Sequence, residues 1–245
     1  MEVHAHTHTA RKKWTHYFWE FLMLFLAVFC GFLAEYQLEH KIERDRAKEL
    51  AVSLYKDLQN DTAALNNISR FRTDKEIKLD SFFRILQQNP DKINAPDFFR
   101  FIIPAFSTNS FSERQSTGTI TQLKNAGYLR YFTHTAIPRA LAVYESSINS
   151  LSEMEKTEAQ EISDKGYTFL REKIDPGLFN TGYSQKSIPE NAQVIPTGKN
   201  DFRLLYGNCV VIGILNRNIN RGFIANCKMT AIALMELLKR EYQLK

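Results

Sequence analysis

Between Phe21 and Ala34 the chain carries no charged residue, and with its aromatic flanks the run from Trp14 to Tyr36 can cross about 30 Å of hydrocarbon at about 1.5 Å per residue. That run constrains the fold more than any other feature, because a lipid-exposed segment must satisfy its own backbone hydrogen bonds and is therefore expected to be helical. Trp14, Tyr17, Trp19 and Tyr36 fall where amphipathic rings sit at the two interfaces, and Arg11, Lys12 and Lys13 abut the amino-terminal end. A cleaved signal peptide starts in a similar way, but no small-x-small cleavage site follows. Phe29 also stands where a lipoprotein signal at Cys30-Gly31 needs a small residue. The reading is a basic, His-rich tail over 1–13, a transmembrane helix over 14–36 and a helical domain over 37–245.

Two glutamates border the apolar run. Stepping by four and three from Glu20 gives Leu24, Ala27, Gly31 and Ala34, with Glu35 beside the last. Ala27 and Gly31 form a small-xxx-small pair that lets two backbones approach closely. This stripe is the expected helix interface, through which the span self-associates or packs on another membrane protein. Glu35 is close enough to the headgroups to reach water unaided; for Glu20, water and a partner helix are both open. The three cations touching the apolar run, set against Lys41, Arg44, Arg46 and Lys48 diluted beyond it, place the amino terminus inside and the domain outside the cytoplasm.

The remainder predicts an all-α fold. Only 10 glycines and 7 prolines occur in 245 residues, too little punctuation for many strands. Leu38, Ile42, Leu50, Leu54, Leu58, Leu65 and Ile68 recur at helical spacing, so the span continues outward as one long helix, with a break expected between Asn66 and Arg72. Asn89-Pro90 ends it, Pro96 and Pro104 bracket the aromatic "DFFRFII", and Gly127 stands where a helix carboxyl cap belongs. Thr135 and Pro138 open a third helix reaching about Lys173. Residues 175–200 hold most of the chain's turn chemistry and read as a long loop or lid. From Leu205 through Cys209, Ile212, Ile219, Cys227, Leu234 and Leu238 a stripe predicts a last helix, antiparallel to the first in a bundle.

No catalytic, cofactor or metal constellation stands out. Elbow, zincin, P-loop, dinucleotide and C-x-x-C motifs do not occur, and the expectation is that the chain is not an enzyme. A net charge of +5 is spread among alternating acids and bases, which reads as a solvated helical surface in preference to a nucleic-acid footprint. His4, His6 and His8 alternate in a tail that offers imidazoles to a metal but no supporting shell, and His134 reads as structural. Cys209 and Cys227, about 27 Å apart along one helix, are expected to be buried and unbridged unless the helix folds back at Gly222.

"RKKWTHYFWEFLMLFLAVFCGFLAEYQLEHKIERDRAKELAVSLYKDL" and "STGTITQLKNAGYLRYF" resemble a family of uncharacterised single-span membrane proteins common in Bacteroidota. The resemblance implies an inner-membrane address with a periplasmic helical domain, and no activity. In that lineage Asp61-Thr62-Ala63 is similar to a short O-glycosylation signal. The first functional expectation is a membrane-anchored scaffold or accessory subunit whose partners are the bilayer and a second copy or another membrane protein, with no nucleic acid and no identified small-molecule substrate. The second is an extracytoplasmic ligand-binding sensor acting through a partner. Its pocket would be roofed by residues 175–200 and lined by Phe98, Phe99, Phe101 and Tyr183.

Overall fold

The computed structural model describes residues 14–89, 92–132, 136–184, 188–189, 192 and 199–244, and among these every regular element is helical. Helix α1 runs from Trp14 to Leu86. The break expected between Asn66 and Arg72 is absent. Asn66 and Asn67 are exposed, where their weak helix preference costs only a few tenths of a kcal/mol each. Leu65 and Ile68 beside them are fully buried and hold the turn in place.

The chain divides into two units, residues 1–49 and 50–245. In the first, α1 carries one apolar window long enough to cross a membrane, and none of it is buried. Phe21, Phe25 and Phe29 stack ring on ring along it, with centroids 6.3 and 5.9 Å apart.

The second unit is built on three long rods. One is α1 from Leu50 onward. Another is α4 (Ala136–Glu161), continued through a π-turn (Ile162–Tyr167) into α5 (Thr168–Lys173). The last is α7 (Lys199–Asn218), continued through a second π-turn (Ile219–Ile224) into α8 (Ala225–Tyr242). Side-chain pairs give their directions. Asn66 meets Lys228, Glu76 meets Arg217 and Gln87 meets Tyr206, so the last rod is antiparallel to α1, as expected. Asp61 meets Tyr144 and Lys75 meets Glu158, so α4 runs parallel to α1. Two short helices return the chain between them: α2 (Ala95–Ala105), capped by Asn94, and α3 (Gly118–Asn125). After α3 the backbone turns at Gly127, whose φ of +65° is the left-handed conformation that favours glycine.

Residues 175–200 begin with a helix where a loop was expected. Asp175 accepts from the Leu178 N–H, and Pro176 fits the first turn of α6 (Pro176–Tyr183). Turn residues served here as helix-start signals. Gly182 packs so closely that a Cβ would lie 2.6 Å from the Phe99 ring. Gly222 sits within the second π-turn and the rod continues, so Cys209 and Cys227 stay on one helix line, buried and free.

Candidate functional site

On α1 the stripe Glu20, Leu24, Ala27, Gly31 and Ala34 is exposed throughout, and Leu24 is 70% accessible. A Cβ at Gly31 would meet nothing within 4 Å, so the small-residue pair presents bare backbone. Glu20 Oε1 stands 3.2 Å from His16 Nε2, one turn earlier. The five residues of the expected interface therefore share an open face whose upper end is polar.

The second unit holds a site that the sequence reading missed. Its core is two apolar clusters. One gathers Leu50 to Ile68 of α1, Ile137 to Leu151 of α4 and Ile219 to Leu238 of the last rod. The other gathers Leu79 to Leu86, the aromatic face of α2, Ile162 to Ile174 and Phe202 to Ile212. At the level between them every rod contributes a polar side chain: Arg72 and Lys75, Glu155 and Glu158, and Asn216, all buried. Arg72 Nη1 donates to Glu158 Oε2 at 2.8 Å and to Asn216 Oδ1 at 3.2 Å. Lys75 Nζ donates to Glu158 Oε1 at 2.9 Å and to the Ser107 carbonyl at 2.8 Å. Asn216 Nδ2 closes the ring by donating to the Arg72 carbonyl. Burial holds the Lys75 amine below its ordinary value, opposed by the attraction of Glu158. Two cations face two carboxylates, which is how a helical core can carry charge at all.

The same layer fastens the irregular segment between α2 and α3. Glu155 accepts from Ser110 Oγ at 2.7 Å and from the Phe111 N–H at 3.0 Å, which seats the Phe111 ring in the core. Further along, Asp61 accepts from the Ser116 N–H at 2.7 Å and from the Tyr144 hydroxyl at 2.6 Å. Burial raises the Asp61 carboxyl above its ordinary value, against the pull of those two donors. Thr62 donates its hydroxyl to the Leu58 carbonyl within α1. Both polar side chains of the possible glycosylation signal are thus engaged in the folded bundle.

Beside Glu155 a cleft of about 230 Å³ opens, lined by Arg72, Ser110, Ser112, Glu113, Ser152 and Glu155 among others. Arg72 is 1% exposed, and its Nε–H has no partner. The residues expected to line a pocket under residues 175–200 divide between core and surface, and 185–187, 190–191 and 193–198 of the expected roof lie outside the described residues. Phe98 and Phe99 are buried against Phe82 and Phe179, Phe101 is half-buried, and Tyr183 is exposed. Outside the layer, Leu204, Val211, Ile214, Met229 and Ile232 of α7 and α8 are exposed. His4, His6, His8 and His134 lie outside the described residues.

The missed residues did leave a trace in the sequence. Leu65, Ile68, Arg72, Lys75, Leu79 and Phe82 keep one helical stripe, as do Leu151, Glu155, Glu158 and Ile162. Charges on positions that the period assigns to the core, on two helices at once, are the signature of such a layer.

Fold and site together define an all-α bundle whose amino-terminal helix is apolar and long enough to span a membrane. No protein-family model, curated protein or solved structure matches the chain.

Proposed function

We propose that the chain is a single-pass, membrane-anchored helical scaffold or accessory subunit. The carrying observation is the fully exposed apolar window of α1, which water would not tolerate on a soluble unit and which lipid accommodates. The abutting cations and the likeness to Bacteroidota single-span proteins favour an inner-membrane address, with the amino terminus cytoplasmic and the helical unit periplasmic. The open Glu20, Leu24, Ala27, Gly31 and Ala34 face is the contact for a second copy or another membrane protein. The exposed apolar residues of α7 and α8 add surface of the kind that partners cover. Affinity purification in mild detergent tests this reading: a stoichiometric companion or a defined homo-oligomer supports it, and a monodisperse monomer opposes it. A carboxy-terminal reporter active only in the cytoplasm should stay silent; activity would reverse the orientation.

The polar cleft favours a second reading, a ligand-binding sensor that acts through a partner.

A further inference from the structure

We infer that the outward face of the last rod is a dimerisation seam, on which a second copy of this chain packs in parallel and in register. The inference rests on the scaffold reading and deepens it by naming the partner.

The outward surfaces of the rods differ in kind. Among the described residues, α1 beyond Leu50 exposes one large apolar side chain, Ile77, and α4 exposes one, Val143. The rod of α7 and α8 exposes Leu204, Val211, Ile214, Met229 and Ile232, each between 43 and 63% accessible. Gly207, Gly222 and Ala225 stand exposed among them, and a Cβ at either glycine would meet nothing within 4 Å. Long apolar side chains interspersed with bare backbone supply the knobs and holes of close helix packing. Arg221 is the one exposed charge between Leu204 and Ala233, and its Nη2 donates to Glu76 of the same chain at 2.8 Å.

The spacing points to a helix as the occupant. Leu204, Gly207, Val211, Ile214 and Asn218 follow in steps of three, four, three and four. One more step of four enters the second π-turn at Gly222, and Ala225, Met229 and Ile232 continue by three, four and three. Threes and fours sustained over about four heptads are the pattern of a coiled-coil seam.

Two features select a second copy over a foreign helix. In a parallel, in-register pair Asn218 meets its own counterpart, and a carboxamide can both donate to and accept from another. A single polar residue in an apolar seam fixes register in this way. The other layers set apolar on apolar or glycine on glycine, with Arg221 neutralised within its own chain. The second feature is direction. The last rod is antiparallel to α1, so a two-fold axis along the rods sends both chains toward residue 49 at the same end. Two chains anchored in one bilayer require that geometry, and an antiparallel pair would send them apart.

The 28 steps from Leu204 to Ile232 span about 42 Å at about 1.5 Å each, and a face about 10 Å wide gives the pair roughly 800 Å² of projected contact. That is the low end of specific interfaces. The faces alone form a weak pair, and a shared bilayer supplies the effective concentration that completes it.

The test uses the full chain. Cys30→Ser removes the exposed native thiol, and the buried Cys209 and Cys227 stay in place. Leu204→Cys and Ile232→Cys are introduced one at a time, and each variant is oxidised with copper phenanthroline in lipid vesicles. Each should form a disulfide dimer with itself, because an in-register pair sets every seam position beside its own counterpart. Ser146→Cys, on the exposed face of α4, should stay monomeric. In a second arm, Ile214→Glu should raise the dissociation constant of the dimer in mild detergent at least about 10-fold, since it sets two like charges in the seam. An unchanged circular dichroism spectrum reports its intact fold. A monomeric native chain, no self-crosslink at either position, or crosslinks only when Leu204→Cys and Ile232→Cys are mixed overturns the inference. Equal crosslinking of Ser146→Cys or an undiminished Ile214→Glu dimer overturns it as well. A foreign subunit on this face would overturn the inference and leave the scaffold reading standing, and membrane retention of the same variants reports the anchor separately.

Discussion

Glu158 is the single residue on which the buried layer depends most. It accepts from Arg72 at 2.8 Å and from Lys75 at 2.9 Å, and all three side chains are at most 2% exposed. Replacing it by alanine removes the common acceptor of two buried cations, and Glu155, 3.8 Å from Arg72, is already bonded to Ser110 and Phe111. Breaking a buried pair in this way costs about 3–5 kcal/mol, because the stranded charge keeps its desolvation penalty. For a unit of this size that is a fall in melting temperature of about 6–20 °C. The perturbed charge is the cause, not the lost volume, so the triple replacement of Arg72, Lys75 and Glu158 by methionine should recover most of the loss when built on Glu155→Gln, which removes the remaining buried charge and keeps an acceptor for Ser110 and Phe111. Urea unfolding followed by circular dichroism measures both. A cost below about 1 kcal/mol for Glu158→Ala, or a triple variant less stable than the single one, would refute the claim that the layer is a coupled, desolvated unit.

Other expectations follow from the packing and from the buried titratable groups. Gly166→Ala should destabilise by about 1–3 kcal/mol in the same assay, since its Cβ would lie 2.5 Å from the buried Phe106 ring; an unchanged midpoint would mean that the first π-turn is free to shift. Burial pushes the Cys209 thiol up to about 12 and raises that of Cys227, so both should resist alkylation at neutral pH in the native protein. Unfolding should expose both without prior reduction, and a mass change on reduction alone would contradict the free thiols. The raised Asp61 carboxyl means that, between 3.8 and its folded value, the folded state holds a proton that the unfolded chain has lost. Stability from this group is present below that window and falls as pH rises through it. Asp61→Asn should remove that slope from a pH series of unfolding midpoints, and an unchanged slope would assign it elsewhere. Lys75 works at the alkaline end: between its lowered folded value and 10.5 the unfolded chain binds the extra proton, so its contribution rises with pH.

The rods were legible in the sequence because each keeps one apolar stripe for many turns, and Leu205, Cys209, Ile212, Ile219, Cys227 and Leu234 are indeed buried. The antiparallel course of the last rod was expected, whereas the parallel course of α4 is shown only by its side-chain pairs with α1. What misled was local chemistry with two meanings. Asp175-Pro176-Gly177 can close a turn or open a helix, and the packing of Gly182 on Phe99 decided for the helix. Asn66 and Asn67 resemble a break, yet helix propensity of a few tenths of a kcal/mol yields to buried neighbours on either side. The charge layer was hidden for another reason. Arg72 and Glu155 look like surface charges in a chain where basic and acidic residues alternate, and their place on the apolar stripes marks them as core only when charges are counted in the stripe with the apolar residues. The five residues of the α1 stripe follow from spacing within one helix, but nearly every residue from 14 to 42 is exposed, so exposure does not single that face out.

The anchor is the claim on which the proposed function rests, and partition of the full chain tests it most directly. After cell breakage the protein should sediment with membranes, resist alkaline carbonate extraction and enter solution only with detergent. Recovery in the carbonate-soluble fraction would contradict the account and assign the apolar window of α1 to a protein partner instead of a bilayer.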